Sequence, residues 1–431
     1  MQRRIFGAGA AAAVLGLLAP LAGCGSGAGS DSGTLRLVAA EYGGDKATSS
    51  RPFWDRVAKE FTAAHPGTAV EVQLVPWADV DREVSRMVKA GKAPDIALMG
   101  SYSDFAADGR LYSADELLSV ASEANFLAPL AEAGSIGNTL YGLPWVASSR
   151  LLFFNEALFK QAGLTTASGA PAAPKTWTEL RNAAKALKGK GVKFPYAMPL
   201  GPEEAHAEAM IWELSNGGGY SDSAGNYTLA SDRNIETFRW VRDNLVGPGL
   251  TGPVAPAQLN RAEAFAAFLR GEVGMLNGYP SLAHEARARG IGVGAVAMPV
   301  SDTLASGETP PTVGVADWIM AFRQNGKRAG IAQFLEFLYQ DKNLTEFAGR
   351  YHLLPSTVSA TRTPAGAIDD NDQQFLTALR GAQLYPVNDP AWVEVSDTIK
   401  RNIGRAVEPG RDPKTVLEEI AAKTHQARKE N

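Results

Sequence analysis

Residues 34–99 alternate between two hydrophobic periods, and this alternation restricts the fold more than any other feature of the chain. Thr34–Ala40 (TLRLVAA) reads as a buried strand. Ser49 and Ser50 followed by Pro52 signal a helix start, and Phe53, Trp54, Val57 and Phe61 share one face of that helix. His65-Pro66-Gly67 ends it. Val70–Val75 alternates as a second strand. Val80, Val84, Met87 and Val88 recur at helical spacing up to Gly91, and Asp95–Met99 is a third strand. A β-α-β-α-β run of this kind predicts an α/β fold with doubly wound sheets. Ligands of such sheets sit beyond the carboxyl ends of the strands. The loops to inspect are therefore Glu41–Asp45, Pro76–Trp77 and Gly100–Asp104.

The same grammar continues downstream. Thr176 with Glu179 forms a capping box. Ala262–Arg270 reads as an amphipathic helix closed by Gly271. Val273–Leu276, Val293–Met298 and Asp317–Phe322 read as strands, and Gln333–Tyr339 as an apolar helix.

The N-terminus is an export signal rather than part of the fold. Arg3 and Arg4 precede an apolar stretch, Ile5–Ala22, and Leu21-Ala22-Gly23-Cys24 resembles the lipobox of bacterial lipoproteins. Residues 1–23 are expected to be removed and Cys24 to carry the lipid. Arg3-Arg4-Ile5-Phe6 also fits a twin-arginine signal, so the export route stays open. Residues 24–33 are rich in Gly and Ser, the composition of a flexible tether. No later stretch is long and apolar enough to span a bilayer.

Composition narrows the chemistry. The chain has 42 basic and 46 acidic residues, a net charge of −4, and no Lys/Arg cluster interleaved with aromatics, so no nucleic-acid partner is expected. A single cysteine allows no internal disulfide and no CxxC metal or redox site. His65, His206, His284, His352 and His425 show no metal-ligand spacing. Neither HExxH, a P-loop nor a GxSxG elbow occurs. No cofactor, metal or catalytic residue is expected. Glu203-Glu204 or Asp369-Asp370 could form a glycosidase pair, but 46 acids supply such pairs by chance.

Aromatic placement is more informative. Tyr42, Trp77, Tyr102, Trp145, Tyr279, Trp318 and Trp392 lie near Gly, Pro or polar residues at predicted strand ends or loops, whereas Trp54, Trp177 and Trp240 fall on helical faces that suit a core. Rings beside short polar groups suit a sugar: the ring stacks on the C–H face while carboxylates and amides take the hydroxyls.

Several motifs resemble those of the family 1, maltose-binding-like, extracellular solute-binding proteins. They are Ala93-Pro94-Asp95-Ile96 leading to Gly109-Arg110-Leu111, then Leu140–Trp145, Leu151–Phe159, Pro174–Leu180, Phe265–Gly278, Val313–Phe322 and Leu353–Ser356. The resemblance implies two α/β lobes joined by hinge strands, with crossings near Ala147–Arg150 and Met298–Val300. Residues 34–147 and 299–346 would form lobe 1, and residues 148–298 and 347–431 lobe 2. It further implies a monomeric, lipid-anchored receptor that binds a sugar, expected to be an oligosaccharide, and delivers it to the permease subunits of an ABC transporter at the outer face of the membrane. A non-sugar solute is the alternative, and a secreted glycoside-acting enzyme a more distant one. By position, the resemblance carries ligand contact to Glu41, Tyr42, Tyr102, Asp104, Trp145, Ser148, Glu203, His206, Tyr279, Asp317, Trp318 and Trp392. At Tyr279-Pro280 the chain departs from the family, where many members have Trp.

Overall fold

The computed structural model describes residues 33–222, 224–304, 310–362 and 370–430. The export signal, Cys24 and the tether up to Ser32 lie outside these residues, as does Asp369.

The strands of the two main sheets are β1 (Gly33–Glu41), β2 (Thr68–Pro76), β3 (Ile96–Met99), β4 (Leu143–Ser149), β5 (Leu151–Asn155), β6 (Phe194–Tyr196), β7 (Val273–Gly278), β8 (Val293–Val296), β9 (Val313–Ala321), β10 (Leu354–Pro355) and β11 (Gln383–Leu384). The first sheet runs β10-β4-β9-β3-β1-β2, with β11 pairing the start of β9. β1 is parallel to both β2 and β3, and β9 is antiparallel to β3 and β4. The second sheet runs β8-β5-β7-β6. The fold is a mixed α/β arrangement built on two sheets.

Side-chain alternation along β1 shows why helices cover both faces of the first sheet. Leu35, Leu37 and Ala39 enter one core with Phe53, Trp54, Val57 and Phe61 of helix α1 (Arg51–Ala64). Val38 and Ala40 enter the other with Val80, Val84 and Val88 of helix α2 (Trp77–Lys89). A period of two delivers successive residues to opposite faces, and each face finds the apolar stripe of a helix. Because β2 and β3 flank β1, the chain reverses direction across the sheet there, and a crevice opens at the carboxyl ends.

One residue joins the sheets. β4 ends at Ser149, β5 begins at Leu151, and Arg150 lies between them. Its N–H donates to Val313 O at 3.0 Å, and Thr312 Oγ1 donates to its carbonyl, so the outgoing and returning strands are tied at this point. The return comes later than Met298–Val300. Val300 still bridges to Thr176, and the N–H of Ser301 still donates to Ser215 O, both beside the second sheet. The chain also stays on the first sheet beyond residue 346. Leu344, Phe347 and Ala348, on the helix Asp341–Tyr351, pack in the core containing Trp54 and Trp145, and β10 pairs with β4.

Candidate functional site

A cleft of about 870 Å³ opens where β1, β2, β4 and β9 meet the second sheet. Tyr42 and Trp77 reach it because they directly follow β1 and β2. They pack edge to face, ring centres 5.3 Å apart. From the other side come Glu203, Glu204, Arg261 and Tyr279, the last from the turn after β7. Ser148 and Arg150 supply the floor at the crossing, and Arg350, Tyr351 and His352 supply part of the rim.

The floor is a charge network. Arg150, its side chain 7% exposed, pairs with Glu204 at 2.8 Å and donates to Ser148 Oγ at 3.0 Å. Its guanidinium lies 4.5 Å from the centre of the Tyr279 ring, within cation–π range. Arg261 pairs with Glu203 at 2.6 Å and with Glu204, and donates to the Tyr279 hydroxyl at 2.6 Å. Burial pushes the Glu204 carboxyl up, but the Arg150 and Arg261 charges outweigh this and hold it below the usual range. Glu204 is therefore held as a carboxylate between the two arginines. On the opposite wall, Asp317 accepts a bond from the Tyr42 hydroxyl at 2.6 Å. Burial is the main force pushing its carboxyl up to about 7, with Asp81 adding to the rise and the Tyr42 bond and Arg150 opposing it.

Of the twelve expected contact residues, Tyr42, Ser148, Glu203, Tyr279 and Asp317 line this cleft. The others do not. Glu41 turns away and accepts bonds from Ser50 N–H at 2.7 Å, Gly43 N–H at 2.9 Å and Ser49 Oγ at 2.6 Å. It thus ties down the loop carrying Tyr42 and caps α1 in place of Ser50, whose own side chain makes no cap bond. Trp145 is 0% exposed against Trp54 and Phe347, and Trp318 is 1% exposed against Tyr102. Tyr102 is fully buried and donates to Ala133 O at 2.6 Å. Asp104 is half-buried on the short helix Ser103–Ala107, off the cleft.

His206 and Trp392 are buried around Tyr385, which stacks on Trp392 with ring centres 5.5 Å apart. Burial, with Lys400 adding, drives the His206 ring down to about 3, so it is neutral. Tyr385 itself faces a separate cavity of about 750 Å³, lined by Pro129, Ala133, Ser221 and Asp389 among others.

Arg150, Glu204, Arg261 and Tyr351 were not among the expected contacts. Nothing in the local sequence announces the two arginines, since the carboxylates that pair with them lie 54 or more positions away. Among the described residues, no group of three or more His, Cys, Asp or Glu is placed to hold a metal ion, and no helix is long and apolar enough to cross a membrane.

Two sheets linked directly at Arg150, with a returning strand beside it and a charged and aromatic cleft at the crossing, define the architecture of a two-lobed solute-binding protein. The chain belongs to the bacterial extracellular solute-binding protein family, whose sequence profile matches residues 46–344. It is 26% identical over 415 residues to a binding protein of Brucella abortus (strain 2308), covering 95% of this chain and 96% of that one. Its fold is similar to that of the GacH receptor of Streptomyces glaucescens GLA.O, solved unliganded and with acarbose (TM-score 0.74, 18% identity, 92% of this chain and 99% of that one). It is also similar to a sugar transporter protein from Arthrobacter chlorophenolicus A6 with bound laminaribiose (TM-score 0.74, 17% identity, 91% and 99%).

Proposed function

We propose that the protein is the lipid-anchored receptor of an ABC importer and captures a saccharide of two or more rings in the 870 Å³ cleft, with no chemical step. The observation that carries this reading is the composition of the cleft. Tyr42, Trp77 and Tyr279 offer flat apolar surface within reach of Glu203, Glu204, Asp317, Arg150 and Arg261, which supply acceptors and donors for hydroxyl groups. The saccharides bound to the structurally similar Streptomyces and Arthrobacter proteins support the same class. Closure follows from the single-residue crossing at Arg150. The two sides also touch where Ser103 Oγ, beyond the end of β3, donates to Asp389 O at 3.0 Å. A ligand held by both walls favours the closed arrangement because it gains contacts there that the open one lacks. Cys24 is the proposed anchor, and the permease and ATPase subunits are separate chains. The receptor works as a monomer.

A thermal-shift screen of the soluble body, starting after Cys24, tests this against mono- and oligosaccharides. A sugar at about 100 times its dissociation constant adds about 2.7 kcal/mol and raises the midpoint measurably. The expected result is a shift with one sugar class, the sugar being recovered unchanged by chromatography. No shift with any sugar contradicts the saccharide reading, and a cleaved sugar contradicts the absence of chemistry.

A further inference from the structure

The charged groups lining the cleft are Arg150, Arg261 and Arg350 against Glu203, Glu204, Asp317 and Glu285. Their arrangement matters more than their number. Glu204 gives one carboxylate oxygen to Arg150 and the other to Arg261. Glu203 takes a second arm of Arg261, and Ser148 a second arm of Arg150. Both deep guanidinium groups are thus neutralised before any ligand arrives. Arg350 is exposed at the rim and donates to Ser49 O, where water screens it. Glu285 is more than half exposed and reaches Arg289 at 3.8 Å.

We propose that Glu204 is the specificity-determining residue of the cleft: by holding Arg150 and Arg261 together it admits uncharged saccharides and excludes sugar acids and sugar phosphates. This rests on the saccharide-receptor reading above. A carboxylate or phosphate entering the cleft meets Glu203 and Glu204 and finds no deep guanidinium free. To gain one it must break a largely buried ion pair and leave a carboxylate uncompensated, which is strongly unfavourable. A hydroxyl meets no such obstacle. It donates to the lone pairs the carboxylates still have, which an anion without a proton cannot do. Repulsive groups of this kind set specificity as much as attractive ones do.

The test is calorimetric titration of paired ligands: glucose with glucuronate and glucose 6-phosphate, galactobiose with digalacturonate, and maltose with maltose 6-phosphate. Wild type is expected to bind each charged member at least about 100-fold more weakly than its neutral partner. In Glu204→Gln, which keeps the shape but loses the charge and one of the two acceptor oxygens, the gap is expected to narrow at least about tenfold, chiefly by a gain for the charged member. Glu203→Gln, less buried, should narrow it by a smaller factor and serves if the first variant does not fold. Circular dichroism melts identify which variants are folded. Wild type binding a uronate or phosphate as tightly as the neutral sugar overturns the proposal, as does an unchanged gap in folded variants. A uronate-preferring wild type leaves the saccharide reading standing. Wild type that binds no member of the panel removes both.

Discussion

Trp318→Ala should lower the unfolding free energy by about 3–5 kcal/mol while leaving ligand affinity nearly unchanged. The two neighbours on β9 have opposite destinations. Asp317 faces the cleft and meets the Tyr42 hydroxyl, whereas the Trp318 ring lies in the core, 5.5 Å from the centre of the Tyr102 ring. The packing there leaves little room to collapse: a Cβ added at Gly134 would lie 3.0 Å from the Trp318 ring and closer still to the Gly142 carbonyl. Truncation therefore leaves a cavity, and the lost contacts add to the lost burial. Urea titration measures the stability change from the midpoint at an unchanged slope. A variant that melts like wild type but loses its ligand would put the ring in the cleft and contradict the packing described here.

Glu213→Gln should stabilise the protein by an amount that grows with pH. Glu213 is 0% exposed on the helix Ala205–Leu214, and neither carboxylate oxygen has a hydrogen-bond partner within the described structure. Burial pushes the carboxyl well above its ordinary 4.5, so the folded protein holds a proton there that the unfolded chain releases. The sign follows directly. From about pH 4.5 upward the unfolded state binds fewer protons, so stability falls, by about 1.4 kcal/mol per pH unit, until the folded group itself ionises. Glutamine has no proton to lose and removes that slope. Asp317 and Glu208, both pushed up by burial to about 7, tilt the profile the same way in both proteins and cancel in the difference. Urea midpoints at pH 5, 6, 7 and 8 for the pair give the result: a gap widening with pH is expected, and parallel profiles would mean that Glu213 is not buried as a neutral acid.

Periodic elements were legible in the sequence because burial enforces periodicity. Phe53, Trp54, Val57 and Phe61 are all buried, as their spacing predicts, and Thr176 accepts the Glu179 N–H at the start of its helix. Loop placement told less. Tyr42, Tyr279 and Trp77 do reach the cleft, because the carboxyl ends of β1, β7 and β2 point there. Trp145 and Trp318 were read by the same rule and went elsewhere. They lie inside β4 and β9, interior strands whose two faces are both covered, so each ring finds a core on whichever face its register dictates. A bulge between these strands, near Ala316 and Trp318, shifts that register further, and no local signal in the sequence marks it. The Arg150–Glu204–Arg261 network was illegible for a different reason. A charged residue in sequence does not name its partner, and only the folding of the second sheet, which pairs β7 with β5 beside Arg150, brings these three together.

The account stands on the cleft holding the solute, and calorimetric titration of wild type and Tyr279→Ala with the best sugar from the thermal screen tests that most directly. Tyr279 is half-buried, and its ring and hydroxyl are braced by Arg150 and Arg261 without supporting either core. The predicted result is one site per chain in wild type and at least about tenfold weaker binding in Tyr279→Ala, with a nearly unchanged melting temperature. Equal affinity in the two proteins would place the solute outside this cleft and contradict the account.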